Sequence, residues 1–318
     1  MTGPVPALPL PQGIRPLSDK EFSLLRDLIY REAGIHLSPV KKALLVGRLS
    51  RRVRELGLAS FGAYYDYVVG GEDPLEGTRM LERICTHETH FFREPRQFEF
   101  LEERAFPEWE KDAAAGRRSR QIRVLSAGCS TGQEPYSLAM LLLSRLPPEM
   151  GWSIEILATD LSRRALEQAE SGIYRIEKAE EIPADLRKRF MLRGVRSQEG
   201  QMKAGPEIRS VVRFQRLNLN DARWPVSGRF DLILCRNVLI YFDEASRRAV
   251  IHRLVDLLAP DGYLLLGHAE TLNRICDRLG AVGPTIYGRP RKAPPKRRQP
   301  QDAWPPRLMG LLAAARTG

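Results

Sequence analysis

The chain has 318 residues, 50 Lys and Arg against 39 Asp and Glu, and a formal net charge of +11. Apolar residues at 43% and charged residues at 28% exclude wholesale disorder, and the length suits two domains with buried cores. No apolar run approaches the roughly 18 residues of a membrane span, and the Pro-rich start lacks a basic segment leading into an apolar one. A cytoplasmic protein with no membrane insertion is the expectation. Cys85, Cys129, Cys235 and Cys276 show no C-x-x-C spacing and read as small apolar residues of a reducing compartment.

The net charge is unevenly placed. Residues 1–121 carry 19 basic and 18 acidic groups, residues 122–288 carry 23 and 20, and the last 30 carry 8 and 1. Most of the excess therefore sits in a Pro/Arg/Lys tail whose prolines oppose regular structure.

Along the chain, a Pro-rich leader (1–17) precedes Ser18-Asp-Lys-Glu21, a capping box that opens a helix with Phe22, Leu25, Leu28 and Ile29 on its apolar face. A second helix is expected from Ser38-Pro39, with proline in its first turn. Leu45, Leu49, Val53 and Leu56 share one face of it, and Lys41, Arg48 and Arg52 form a neighbouring basic stripe, with Arg51 and Arg54 beyond. A third helix near Phe61–Val69 and a long segment around Gly77–Trp109 complete a helical domain over 18–110, and residues 111–121 read as a linker. From residue 122 the pattern changes to short β-branched runs alternating with helices. Strands are expected at Ile122–Ala127, Ile154–Thr159, Val211–Gln215, Phe230–Cys235 and Tyr263–Gly267, with helices at Pro135–Leu146, Ser162–Ser171 and Glu244–Leu258. This rhythm predicts a mostly parallel, doubly wound sheet over 122–288. Residues 194–212, with Gly200 and Gly205 at turns, read as an inserted hairpin. The basic tail occupies 289–318.

Between the first strand and its helix stands Ser126-Ala-Gly-Cys-Ser-Thr-Gly-Gln-Glu-Pro. Gly128 and Gly132 let backbone approach a ligand beyond the strand ends, but the spacing is neither G-x-G-x-x-G nor a P-loop. Asp160, at the tip of the second strand, can either accept the hydroxyls of an adenosine ribose or cap the next helix, where Ser162 competes. The wrong glycine fingerprint argues against a nicotinamide cofactor.

Together with that loop, His87-Glu-Thr-His-Phe-Phe-Arg-Glu, Ala158-Thr-Asp, Ser171-Gly-Ile-Tyr, Cys235-Arg-Asn-Val-Leu-Ile-Tyr-Phe and Gly267-His-Ala-Glu make the chain resemble the CheR family, the S-adenosylmethionine-dependent methyltransferases of bacterial chemoreceptors. The resemblance runs in register over about residues 18–288. It implies an α/β protein: a small helical domain, then a Rossmann-like class I methyltransferase domain with an inserted small antiparallel β-subdomain. It implies that S-adenosylmethionine, leaving as S-adenosylhomocysteine, contacts Thr89, Arg93, Gly128, Glu134, Asp160, Asn218, Leu219, Arg236 and Asn237. His87 stands where many relatives have Asn. Imidazole can still donate one hydrogen bond, so His87 is carried as a contact that would make cofactor affinity depend on pH near neutrality. A flat binding curve between about pH 6 and 8 would remove that expectation.

Methylation of a carboxylate needs no general base, because a glutamate of pKa about 4.3 is already ionised at neutral pH. It needs alignment and removal of water. Arg93 and Tyr241 are the candidates for holding the acceptor carboxylate, as paired guanidinium donors and a phenol donor, and Glu134 and Tyr241 suit a sulfonium. Neither His252 nor His268 has metal-ligand spacing to another histidine. The resemblance further implies that Arg48, Arg51 and Arg52 dock the glutamate-rich cytoplasmic coiled coil of a chemoreceptor, with recruitment to receptor arrays and a monomeric enzyme. A nucleic-acid methyltransferase is disfavoured. Residues 236–239 are Arg-Asn-Val-Leu, without the D/N-P-P-Y/F loop of amino-methylating enzymes, and Cys235 is not preceded by Pro. A scaffold without turnover is opposed by the intact Arg93, Glu134, Asp160 and Tyr241.

Overall fold

The computed structural model describes residues 14–289. The expected leader lies outside these residues up to Gly13, and so does the tail from Pro290 onward; Ile14 and Leu17 are buried in the helical core. In chain order the helices α1 (Asp19–Ala33), α2 (Lys42–Glu55), α3 (Phe61–Gly70) and α4 (Glu76–Ile84) form the first unit. The capping box is present: Glu21 N–H donates to Ser18 Oγ at 3.2 Å and Ser18 N–H to Glu21 Oε2 at 2.8 Å. Phe22, Leu25, Leu28 and Ile29 pack with Leu45, Leu49, Val53, Phe61 and Tyr64, so the apolar stripes of the sequence become this unit's core.

Next come α5 (Pro95–Phe100), a π-helical turn, and α6 (Phe106–Ala114), then β1 (Gln121–Ala127), α7 (Gln133–Arg145), β2 (Ser153–Asp160), α8 (Arg163–Ser171) and β3 (Ile173–Arg175). They are followed by α9 (Ala184–Phe190), β4 (Met191–Arg193), β5 (Gln201–Ala204), α10 (Pro206–Ser210), β6 (Val212–Arg216), β7 (Phe230–Cys235), α11 (Glu244–Leu257), β8 (Leu258–Leu266), β9 (Gly280–Gly283) and β10 (Ile286–Gly288). Seven strands make one sheet in the order β6-β2-β1-β7-β8-β10-β9. β6 to β8 run parallel, and β10 is antiparallel to both neighbours. The order reverses at β1, which opens a crevice beyond the strand C-termini. Successive residues of the strands feed opposite faces. Ile122, Val124, Leu232 and Leu234 join one core, while Leu125, Ala127, Ile233 and Cys235 join the other.

Two expectations shift. Phe91, Phe98, Leu101, Phe106 and Trp109 bury against the sheet strands and α7, so residues from 91 onward pack with the sheet although their helical periodicity groups them with the first unit. Lys111–Ala114, read as linker, end α6. The inserted element is a three-stranded antiparallel sheet, β3-β5-β4, whose tight turn spans 194–200. Residues 206–210 are helical and Val212 already belongs to the main sheet, so the hairpin sits N-terminal to the expected 194–212. Three-residue strands carry too little alternation to be read from sequence.

Candidate functional site

Beyond the C-terminal ends of β1, β2 and β7 lies a cleft enclosing about 1480 Å³ out to its open mouth. His87, Thr89, Arg93, Gly128, Glu134, Asp160, Asn218, Leu219, Arg236, Asn237 and Tyr241 all line it, so the residues expected to hold a cofactor and an acceptor converge on one cavity.

The floor is the β1–α7 loop. Gly128 has φ +84°, and a Cβ there would collide with Val238; Gly132 has φ +93°, with Ala169 Cβ 2.8 Å from where a side chain would begin. Both positions therefore need glycine for conformation and for packing. Asp160 ends β2 and is buried, its Oδ2 accepting from Ser130 N–H at 2.8 Å and its Oδ1 from Ser162 N–H at 2.9 Å. Ser162, not Asp160, caps α8, which removes the competing reading of Asp160. Burial raises the Asp160 carboxyl above its ordinary value, outweighing the pull of these N–H groups and of His87. A carboxylate offers about four lone-pair sites, so two accepted bonds leave capacity for further hydroxyl donors.

Glu134 opens α7 and is nearly enclosed. Ser126 Oγ donates to its Oε1 at 2.7 Å and Arg236 Nε to its Oε2 at 2.8 Å. Arg236 is itself buried, stacks over Phe98 and donates from Nη1 to the carbonyl of Arg93 and to Gln97 Oε1. Its Nε and Nη1 thereby orient Glu134 and the Arg93 loop. That loop is bent. Phe92 at φ +51° and Glu94 at φ +61° flank Arg93, and Ser130 and Asn237 across the cavity are also left-handed. Non-glycine residues in this region carry strain that surrounding contacts must hold, and such strain gathers at functional sites. Arg93 donates Nη1 to the Glu88 carbonyl at 3.0 Å, leaving other N–H groups beside the cavity; the surface ion pair with Glu88 or Glu94 that its neighbours suggest is not formed.

Both ends of the Asn218 amide are engaged: its Nδ2 donates to the Glu32 carbonyl at 2.7 Å, tying the sheet domain to the end of α1, and its Oδ1 accepts from Asn220 N–H at 3.0 Å. The helical unit supplies wall that the sequence reading did not foresee: Ile35, Leu37, Lys41 and Leu44. Ile35 bridges Phe242, and His36 N–H donates to the Tyr241 carbonyl at 2.7 Å. The αL glycine Gly34 after α1, with Asn220 against it, marks this turn, but no periodicity shows what it packs on. Two buried atoms in the wall have no partner, Ser130 Oγ and Asn237 Oδ1. Unpaired polar atoms are costly in a dry pocket and suit a polar ligand. A carboxylate for a ribose, the enclosed Glu134 and these free atoms fit a nucleoside-bearing cofactor.

On α2, Arg48 donates to Thr86 Oγ1 at 2.9 Å and Arg51 pairs with Glu55 on the surface. Arg52 departs from expectation: it turns inward to make two bonds, 2.9 and 2.6 Å, to the fully buried Glu76, which also accepts from the Tyr64 hydroxyl. Of the three arginines expected to dock a partner, Arg52 is thus a structural one, its acidic partner lying 24 residues away.

The chain matches two family descriptions: the CheR methyltransferase SAM binding domain over residues 87–287 and the CheR methyltransferase all-alpha domain over residues 20–85. It is 38% identical over 272 residues to the chemotaxis protein methyltransferase of Escherichia coli, covering 85% of this chain and 91% of that one. It is 36% identical over 272 residues to chemotaxis protein methyltransferase 2 of Pseudomonas aeruginosa, covering 84% and 92%.

Proposed function

This chain belongs to the CheR family of S-adenosylmethionine-dependent methyltransferases, and on that footing we propose that it esterifies glutamate carboxylates on the cytoplasmic coiled coil of a chemoreceptor. The observation that carries this reading is the cleft itself: cofactor-side acids and acceptor-side donors line one cavity, and transfer to an already ionised carboxylate needs no Ser/His or Cys/His pair.

Asp160 would take the ribose hydroxyls, with Asn218 and Leu219 beside the base and Glu134, Thr89, Arg93 and Asn237 around the amino-acid end. Bound there, S-adenosylmethionine supplies a methyl group on a sulfonium. Arg93 and Tyr241 hold the incoming carboxylate by charge-assisted hydrogen bonds and replace the water it loses. The backbone of both is anchored, Arg93 through Arg236 and Tyr241 through His36, so the acceptor site is organised before substrate arrives. No proton is moved; the carboxylate is the nucleophile as it stands. Docking falls to Arg48 and Arg51 on α2 and to Lys41 just before it, with Arg52 retained as the strut beneath them.

The test is transfer of label from methyl-labelled cofactor to a chemoreceptor fragment, beside duplex DNA and RNA. Label on the fragment, abolished when its acceptor glutamates are replaced by alanine, is expected. Label on nucleic acid alone would reject the reading.

A further inference from the structure

The Gly267-His-Ala-Glu270 motif contributes no residue to the cleft, yet its carboxylate is buried and fully engaged. Glu270 Oε2 accepts from Gly267 N–H at 2.6 Å and from Asn237 N–H at 3.0 Å, and Oε1 accepts from Ile240 N–H at 3.3 Å. The last two donors belong to the turn after β7 that ends at Tyr241. The turn begins with Asn237 in the left-handed region at φ +58°, a conformation that a non-glycine residue keeps only when its surroundings impose it. Gly267 lets the two segments meet: a Cβ there would stand 2.6 Å from Asn237 N and 2.8 Å from Glu270 Oε2.

We propose that Glu270 is a positioning residue for methyl transfer, holding the Asn237–Tyr241 turn so that the Tyr241 hydroxyl stands where the acceptor carboxylate docks. This rests on the reading of Tyr241 as an acceptor-holding group. An ionised carboxylate is the side chain suited to the task, since every group facing it is an N–H donor and it has none of its own. A glutamine of the same shape would present an amide NH2 to one of those N–H groups and release part of the turn.

The proposal predicts a particular coupling. Glu270→Gln lowers kcat at saturating cofactor about tenfold or more, as expected for slight misplacement of a reacting group, a loss that remains after any drop in cofactor affinity through Asn237 is made up by excess cofactor. Because Glu270 acts through Tyr241, adding Glu270→Gln to Tyr241→Phe costs little more than Tyr241→Phe alone. Gly267→Ala, which pushes the same two segments apart, reproduces the kcat loss and serves if the first variant folds poorly. Losses that multiply in the double variant, or unchanged turnover in Glu270→Gln, would overturn the proposal. A wild-type chain that transfers no methyl to the receptor fragment would instead overturn the functional reading, and this proposal with it.

Discussion

On the proposed function Asp160 serves the cofactor and Tyr241 the acceptor, and substitutions should separate them. Asp160→Ala removes a buried acceptor from the cofactor side and is expected to weaken cofactor binding at least tenfold, with turnover at saturating cofactor less affected. Tyr241→Phe removes one donor from the acceptor side and is expected to lower kcat by about 10- to 100-fold while the calorimetric cofactor affinity stays near wild type. The reverse pattern would exchange their roles. The Asp160 carboxyl also sets a pH limb. Its burial raises its pKa above the ordinary aspartate value, and only the ionised form accepts two ribose hydroxyls. Cofactor affinity should therefore fall as pH drops through a value higher than an exposed aspartate would show, and Asp160→Asn should lose that limb. An unchanged limb in Asp160→Asn would assign it elsewhere.

At the scale of elements, α2 combines the proposed docking surface with a strut for its own unit. Arg52 and Glu76 form a pair in which Glu76 is wholly enclosed. Burial alone would push the Glu76 carboxyl up, but hydrogen bonds from Arg52 and Tyr64 outweigh it and hold it below the ordinary value. A carboxyl depressed in the fold contributes stability above its unfolded pKa, and that stability is lost as pH falls through the folded value. Acid unfolding of the helical unit should start in that window, and Glu76→Gln should weaken the dependence. Arg52→Ala leaves the buried Glu76 with only the Tyr64 hydroxyl and a 3.4 Å contact from Arg79, and is expected to cost about 1.5–3 kcal/mol in denaturant unfolding. Arg51→Ala should leave stability unchanged and weaken receptor docking instead. What could be read in advance follows from this scale. The capping box at Ser18, the 3.6-residue stripes of α1 and α2 and the long sheet strands announce themselves in local pattern. The inward turn of Arg52, the three-residue strands and the allegiance of Phe91–Trp109 depend on partners far along the chain, which periodicity does not encode.

The whole molecule is a sheet domain with a helical unit clamped across the mouth of its crevice. Asn218 and Asn220 bond the last carbonyls of α1, Tyr30 bonds Asp243, and Ile35 pairs with Phe242. The unit that carries the basic face of α2 thus also lends Ile35, Leu37, Lys41 and Leu44 to the cavity, so the proposed docking face and the cleft share one unit. That Asp160 and Glu134 stand at the strand ends was legible from their motifs; the shared wall was not, because it arises where two units meet. The useful positive charge is local. If α2 meets an acidic coiled coil, kcat/KM should fall as ionic strength rises past the point where the screening length is about 10 Å, with cofactor affinity nearly constant. Salt-independent turnover would remove charge from the account of docking.

The central claim is the chemical identity of the product, a methyl ester on glutamate. A chemoreceptor fragment labelled by this chain with methyl-labelled cofactor is therefore exposed to mild alkali. Volatile label released as methanol is the predicted result, and label that stays on the fragment would show an amine or other stable acceptor and contradict it.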